Sequence, residues 1–212
     1  MGDGAQPRRI ERPCERRSAV SRHLLALASV GVALALMGCG GESGTGPGRP
    51  LEVVATIGSV GLWPGQFATP RAIDTDGSVL WVIDKAARVQ KLDATTGEPL
   101  VEWKTPRHEN GMPVGVTCTT LGGRRVVMVA DTHESRVLVY GPDEDPKSVA
   151  PIVAEFGSYG TGPGQFIYPT DVAVVEDPAF GTRIYVSEYG GDDRVSVFNE
   201  RFEFQFAFGR FG

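Results

Sequence analysis

The chain has 212 residues, 41% hydrophobic and 22% charged, which fits a folded globular protein and argues against general disorder. Glycine (28) and proline (15) make up about a fifth of it without a G-X-Y period, so collagen is excluded and many turns between short strands are expected. A net charge of −5 does not suggest a nucleic-acid partner, and three cysteines cannot build a disulfide framework.

Residues 1–23 carry Arg8, Arg9, Arg12, Arg16, Arg17, Arg22 and His23, and an apolar run of 14 residues follows, Leu24 to Met37. A bilayer span needs about 20 apolar residues, so this run is too short to cross comfortably. A basic segment, a short apolar segment and small residues after it make a secretory leader. The run ends Leu36-Met37-Gly38-Cys39, which resembles the bacterial lipobox, although Met37 departs from its usual small residue. That resemblance implies a lipid on Cys39, loss of residues 1–38, and an address on the extracytoplasmic face of a bacterial membrane, periplasmic or cell-surface. An uncleaved anchor and a plain signal cut nearby are the competing readings. Arg16-Arg17 fits a twin-arginine signal poorly, given Glu15 and Ser18-Ala19-Val20 around it. Processing would leave 15 basic and 23 acidic residues, a net −8 that anionic headgroups repel, so the lipid would have to do the anchoring. Residues 40–50 (GGESGTGPGRP) read as a flexible tether. Cys118 then stands alone in a strand-like run and is expected to act as a small buried hydrophobe.

From residue 51 the chain repeats. Pro64-Gly65-Gln66-Phe67 recurs 99 residues later as Pro163-Gly164-Gln165-Phe166. A strand-opening proline follows each, Pro70 and Pro169. Pro113 opens a third copy between them, with Arg107-His108-Glu109-Asn110-Gly111-Met112 in place of the lead-in. The 99 residues therefore cover two units of about 50, a propeller-blade period. The units fall at about 51–105, 106–156 and 157–212, each with four short strands. The first strands are 72–74, 114–119 and 170–175. The second strands, 79–84, 126–131 and 184–188, each end in a carboxylate. The third, 88–92, 136–140 and 194–198, each begin at an arginine. The fourth are 100–103, 152–156 and 202–208; strict alternation in the last puts Phe202, Phe204, Phe206 and Phe208 on one face. Four antiparallel strands per unit make a blade, so the fold class is all-β, a propeller with about three four-stranded blades.

The run G-x-G-P-G-Q-F, then a proline, a strand, a carboxylate, and Arg-Val opening a strand resembles the NHL repeat. The best match is Ser187 to Phe198 (SEYGGDDRVSVF), and the resemblance covers residues 51–212. It implies a six-bladed ring, of which three blades are present. The closing Phe208-Gly209-Arg210-Phe211-Gly212 is similar to Phe156-Gly157-Ser158-Tyr159-Gly160, so a fourth blade is expected to begin there. Open blade faces are expected to favour self-association.

Each unit carries a carboxylate and an arginine around one hairpin turn: Asp84 with Arg88, Asp131 with Arg136, Glu188 with Arg194. They could ring one propeller face and grip a polar ligand, or tie the turn structurally; recurrence in every unit favours the structural role. His133 lies in the turn after Asp131, and His108 in the lead-in before Pro113. NHL-like amidating lyases hold zinc with histidines from several blades, and two histidines do not make that site. Both are expected at the surface, with no metal, no other cofactor and no catalytic residue assigned. Asp74-Thr75-Asp76-Gly77 reads as a turn, since Lys85 stands where a calcium loop needs its twelfth-position Glu. The acidic loop 141–146 is expected to be solvated. The functional expectation is a membrane-tethered scaffold for a protein, peptide or glycan ligand. The alternative is a propeller lyase or hydrolase whose channel metal is completed by further blades.

Overall fold

The computed structural model describes residues 52–142 and 144–212. The leader, Cys39, the tether and Asp143 of the acidic loop lie outside the described residues. Glu52–Gly212 forms one compact unit.

β1 (Ser59–Val60) and β2 (Gln66–Phe67) pair in parallel around the first PGQF turn. Three four-stranded antiparallel sheets follow. The first is β3 (Pro70–Thr75), β4 (Val79–Asp84), β5 (Arg88–Asp93) and β6 (Pro99–Lys104). The second is β7 (Gly115–Leu121), β8 (Arg124–Asp131), β9 (Arg136–Tyr140) and β10 (Ile152–Phe156). The third is β11 (Tyr168–Asp177), β12 (Gly181–Tyr189), β13 (Val195–Asn199) and β14 (Phe204–Phe208). In each sheet the strands lie side by side in chain order. Successive first strands, β3, β7 and β11, pack beside one another. Meander sheets repeated about their first strands are the blade arrangement of a β-propeller.

Turn chemistry explains the first hairpin. The Asp76 carboxylate accepts hydrogen bonds from the Ser78 and Val79 N–H groups and the Ser78 hydroxyl, which closes the β3–β4 turn and depresses the Asp76 pKa against its partial burial. The period-2 rule explains the stacking. On β8, Val127 and Val129 join Trp81, Ile83 and Val89 of the first sheet. The intervening Val126, Met128 and Ala130 join Val172, Ile184, Val186 and Phe198 of the third. Trp81, Trp103 and Tyr140 meet edge to face in the first interface, at 5.8 and 5.6 Å between ring centroids. A backbone N–H also crosses here, from Cys118 to Asp74 Oδ2 at 2.7 Å. Cys118 is half-buried, and burial, with Asp74 and Asp76 nearby, pushes its thiol up to about 12.

The last strand differs from strict alternation. Pairing of β13 with β14 shifts register between Val197 and Phe198. Val195 faces Phe208 and Val197 faces Phe206, but Phe198 faces Phe204, so Gln205 is the extra residue of a bulge. The bulge sends Phe204 to the second-sheet interface and turns Phe206 and Phe208 to the opposite face. Phe202 lies before the strand at φ +63° and stacks on Phe156 with centroids 4.9 Å apart. The expected four-phenylalanine face is thus divided in two. Among the described residues no sheet packs on that opposite face of the third sheet. On the outer face of the first sheet no four-stranded sheet packs among the described residues; Ile73, Leu80, Val82 and Leu92 line a hollow of about 390 Å³ together with Ile57 and Phe67 of the segment before it.

Candidate functional site

Asp84 ends β4 and Arg88 opens β5, so the hairpin turn brings them together. Asp84 Oδ2 accepts from Arg88 Nη2 at 2.6 Å, from Nε at 3.1 Å and from the Ala68 N–H at 3.0 Å. Its Oδ1 accepts from the Ala86 and Arg88 N–H groups. Arg88 also donates to Glu102 at 3.3 Å and to the lead-in loop: the carbonyls of Leu62 and Gln66, both at 2.8 Å, and of Gly61 at 3.2 Å. Both side chains are buried. The pair is a clamp that ties residues 61–68 to the sheet edge.

The third unit repeats it. Glu188 Oε1 accepts from Arg194 Nε at 2.6 Å, and Oε2 from the Ile167 N–H at 2.7 Å. Arg194 donates to the carbonyls of Thr161, Gly162 and Gln165. The PGQF residues have matching duties in both copies. Gly65 and Gly164 sit at φ +76° and +73°, a region that favours glycine. Gln66 and Gln165 accept from the N–H three residues earlier, of Trp63 and Gly162. Phe166 is buried in the second interface.

The second unit departs from this pattern. Arg136 donates from Nε to Asp131 Oδ2 at 3.0 Å, to Glu155 at 2.9 Å and to the Pro106 carbonyl at 3.0 Å. Asp131 is fully buried, yet Oδ1 has no hydrogen-bond partner. In Asp84 the second oxygen is filled by the turn N–H groups of Ala86 and Arg88 and in Glu188 by the Ile167 N–H; Asp131 Oδ1 has neither kind of donor. Burial raises the Asp131 pKa, against the opposing pull of Arg136. The folded state therefore binds this proton more tightly than the unfolded chain. Stability from it is full below the ordinary value of 3.8 and lost as pH rises through the raised one. We expect Asp131→Asn to remove that loss. Urea unfolding across pH 3 to 7 should show the variant gaining on the parent chain as pH rises; a constant difference would contradict it.

His133 lies exposed on the 3-10 turn Thr132–Glu134, its ring 5.9 Å from Tyr168. His108 is half-exposed beside Glu109, at 3.5 Å. Among the described residues no group of three or more His, Cys, Asp or Glu is placed to hold a metal ion. The sequence reading missed Glu102 and Glu155, which give Arg88 and Arg136 a second carboxylate. The signal was present, as Glu102-Trp103 and Glu155-Phe156 recur at equivalent places in β6 and β10. It also missed the buried Lys91, whose Nζ donates to the Ser148 carbonyl at 3.0 Å and lies 5.2 Å from the Trp81 ring. Lys91 lines a cleft of about 230 Å³ between the first two sheets, with Asp76, Asp93, Arg125 and Glu144.

Comparison with protein-family models and with curated proteins finds no match. Two solved structures are similar in shape. One is the β-propeller domain of Cps50 (Swd1) from Myceliophteria thermophila, with 16% identity, TM-score 0.48, and coverage of 66% of this chain and 43% of that one. The other is a protein of unknown function from Bacteroides caccae, with 11% identity, TM-score 0.43, and coverage of 68% and 46%. The chain spans less than half the length of either.

Proposed function

We propose that the chain is an extracytoplasmic binding scaffold: an NHL-repeat propeller body, held at a bacterial membrane by a lipid on Cys39, that presents its loops to a protein, peptide or glycan. The observation that carries the NHL reading is the clamp shared by the first and third units, where PGQF and the carboxylate–arginine pair serve one another. The scaffold role is supported by how these charges are used. In both units the arginine's donors go to the protein's own carbonyls and carboxylates, which stiffens the loops rather than leaving a reactive group. The tether is supported by the leader pattern and Leu36-Met37-Gly38-Cys39. Self-association through the two open sheet faces belongs to the same reading.

The test is Cys39→Ser. The parent chain should partition with membranes and detergent and begin at a lipid-modified Cys39. The variant should be released, or retain its leader. Unchanged partitioning together with an unchanged N-terminus would overturn the anchor.

A further inference from the structure

The first lead-in loop differs from the third at its tip. It reads Gly-Leu62-Trp63-Pro-Gly-Gln-Phe where the other reads Gly-Thr161-Gly162-Pro-Gly-Gln-Phe. The backbone clamp is the same in both, so the fold does not require Leu62 and Trp63. Yet both large apolar side chains stand in water, Leu62 65% and Trp63 77% exposed, next to Val60 at 93%. A preceding sheet would not cover the Leu62 position. The third unit has the second sheet packed against it, through Phe166 and the Ser135 hydroxyl on the Ile167 carbonyl, and Thr161 remains exposed.

We propose that the Leu62–Trp63 tip sits in the interface of a lipid bilayer. This rests on the anchored reading above. One observation favours lipid over a protein partner. Twelve residues lie between Cys39 and Glu52, a reach of at most about 45 Å, so a lipid on Cys39 holds the start of the body within that distance of the bilayer, eleven residues before Trp63. The tip backbone, like that of the third unit, is largely paired, which makes it compatible with a water-poor setting, where an unsatisfied polar group is costly. The carbonyls of Gly61, Leu62 and Gln66 are taken by Arg88, and the Trp63 carbonyl by the Gln66 N–H. The N–H groups of Gly61, Trp63 and Gly65 go to the Phe67 carbonyl, the Gln66 side chain and the Gln90 side chain. Pro64 has no N–H. A tryptophan and a leucine on a loop whose backbone is largely paired are suited to the headgroup boundary, where an indole places its ring in the apolar layer and its N–H at the wet edge.

Tryptophan quenching tests this. The full chain carrying Cys14→Ser is coupled through Cys39 to a maleimide phospholipid in phosphatidylcholine vesicles with brominated acyl chains. Cys118, which is half-buried, is replaced by serine in the same chain, so that Cys39 is the one thiol left to couple. Trp81 is buried and Trp103 half-buried between the first two sheets. The bromines should therefore quench Trp63, and Trp63→Ser should abolish the quenching. Equal quenching in parent and variant, or none in the parent, overturns the proposal; a Trp63 left unquenched points to a protein partner instead. Coupling imposes the anchor, so this failure leaves the Cys39 lipid standing. Release failure in the Cys39→Ser assay rejects the lipid without affecting the quenching result.

Discussion

Replacing Arg88 by alanine should lower the unfolding free energy by about 3–5 kcal/mol, the range for a buried ion pair that loses one partner. Three effects act together. Asp84 stays buried without its countercharge. The carbonyls of Gly61, Leu62 and Gln66 lose their donor. The lead-in loop, no longer tied to β5, regains conformational freedom. Arg136→Ala should cost less. Arg136 donates to the lead-in carbonyl of Pro106, and Asp131 already carries an oxygen without a partner. Urea unfolding would show Arg88→Ala moving the midpoint furthest at an unchanged slope. A loss under about 1 kcal/mol, the scale of an exposed pair, would mean that the clamp is ornamental.

Gly115→Ala should be of similar severity for a different reason. Gly115 opens β7, where that strand runs against β11 of the third sheet. A Cβ there would collide with the Thr170 carbonyl oxygen and sit 2.8 Å from Asp171 Cα and 2.9 Å from Asp171 Oδ1. The first two obstacles are backbone, which no rotamer change relieves, so β7 and β11 must separate. Overpacking typically costs about 1–3 kcal/mol, and a backbone collision belongs at or above the top of that range. Gly122→Ala is the contrast, with open space around its Cβ and a φ of +56°, so it meets left-handed strain alone, about 1–2 kcal/mol. Thermal unfolding of the two variants should rank them in that order. Equal melting temperatures would show that the strands have room to yield at Gly115.

The strand order was legible in the sequence, because β-branched runs alternate with Asp, Gly and Pro punctuation and the same order recurs in each unit. The carboxylate–arginine pairs were legible for the same reason. Their targets were not. Arg88 and Arg194 each reach for three carbonyls, which every residue carries and no side chain announces. The bulge at Gln205 was illegible too, since the period-2 rule assumes an unbroken register and Phe202 to Phe208 obeys it on paper. The orphaned oxygen of Asp131 could be suspected only after seeing which N–H groups fill the matching oxygens of Asp84 and Glu188. Gly115 is one glycine among 28, and its necessity is set by a strand of the next sheet, 55 residues along the chain.

A double-mutant cycle on Asp84 and Arg88 reads the clamp most directly. Asp84→Ala, Arg88→Ala and the double variant are unfolded in urea beside the parent chain. If the two side chains act as one device, the second substitution costs much less once the first is made, with a coupling of about 1–3 kcal/mol. Effects that add to within about 0.5 kcal/mol would contradict it, and would return these residues to independent roles on the propeller face.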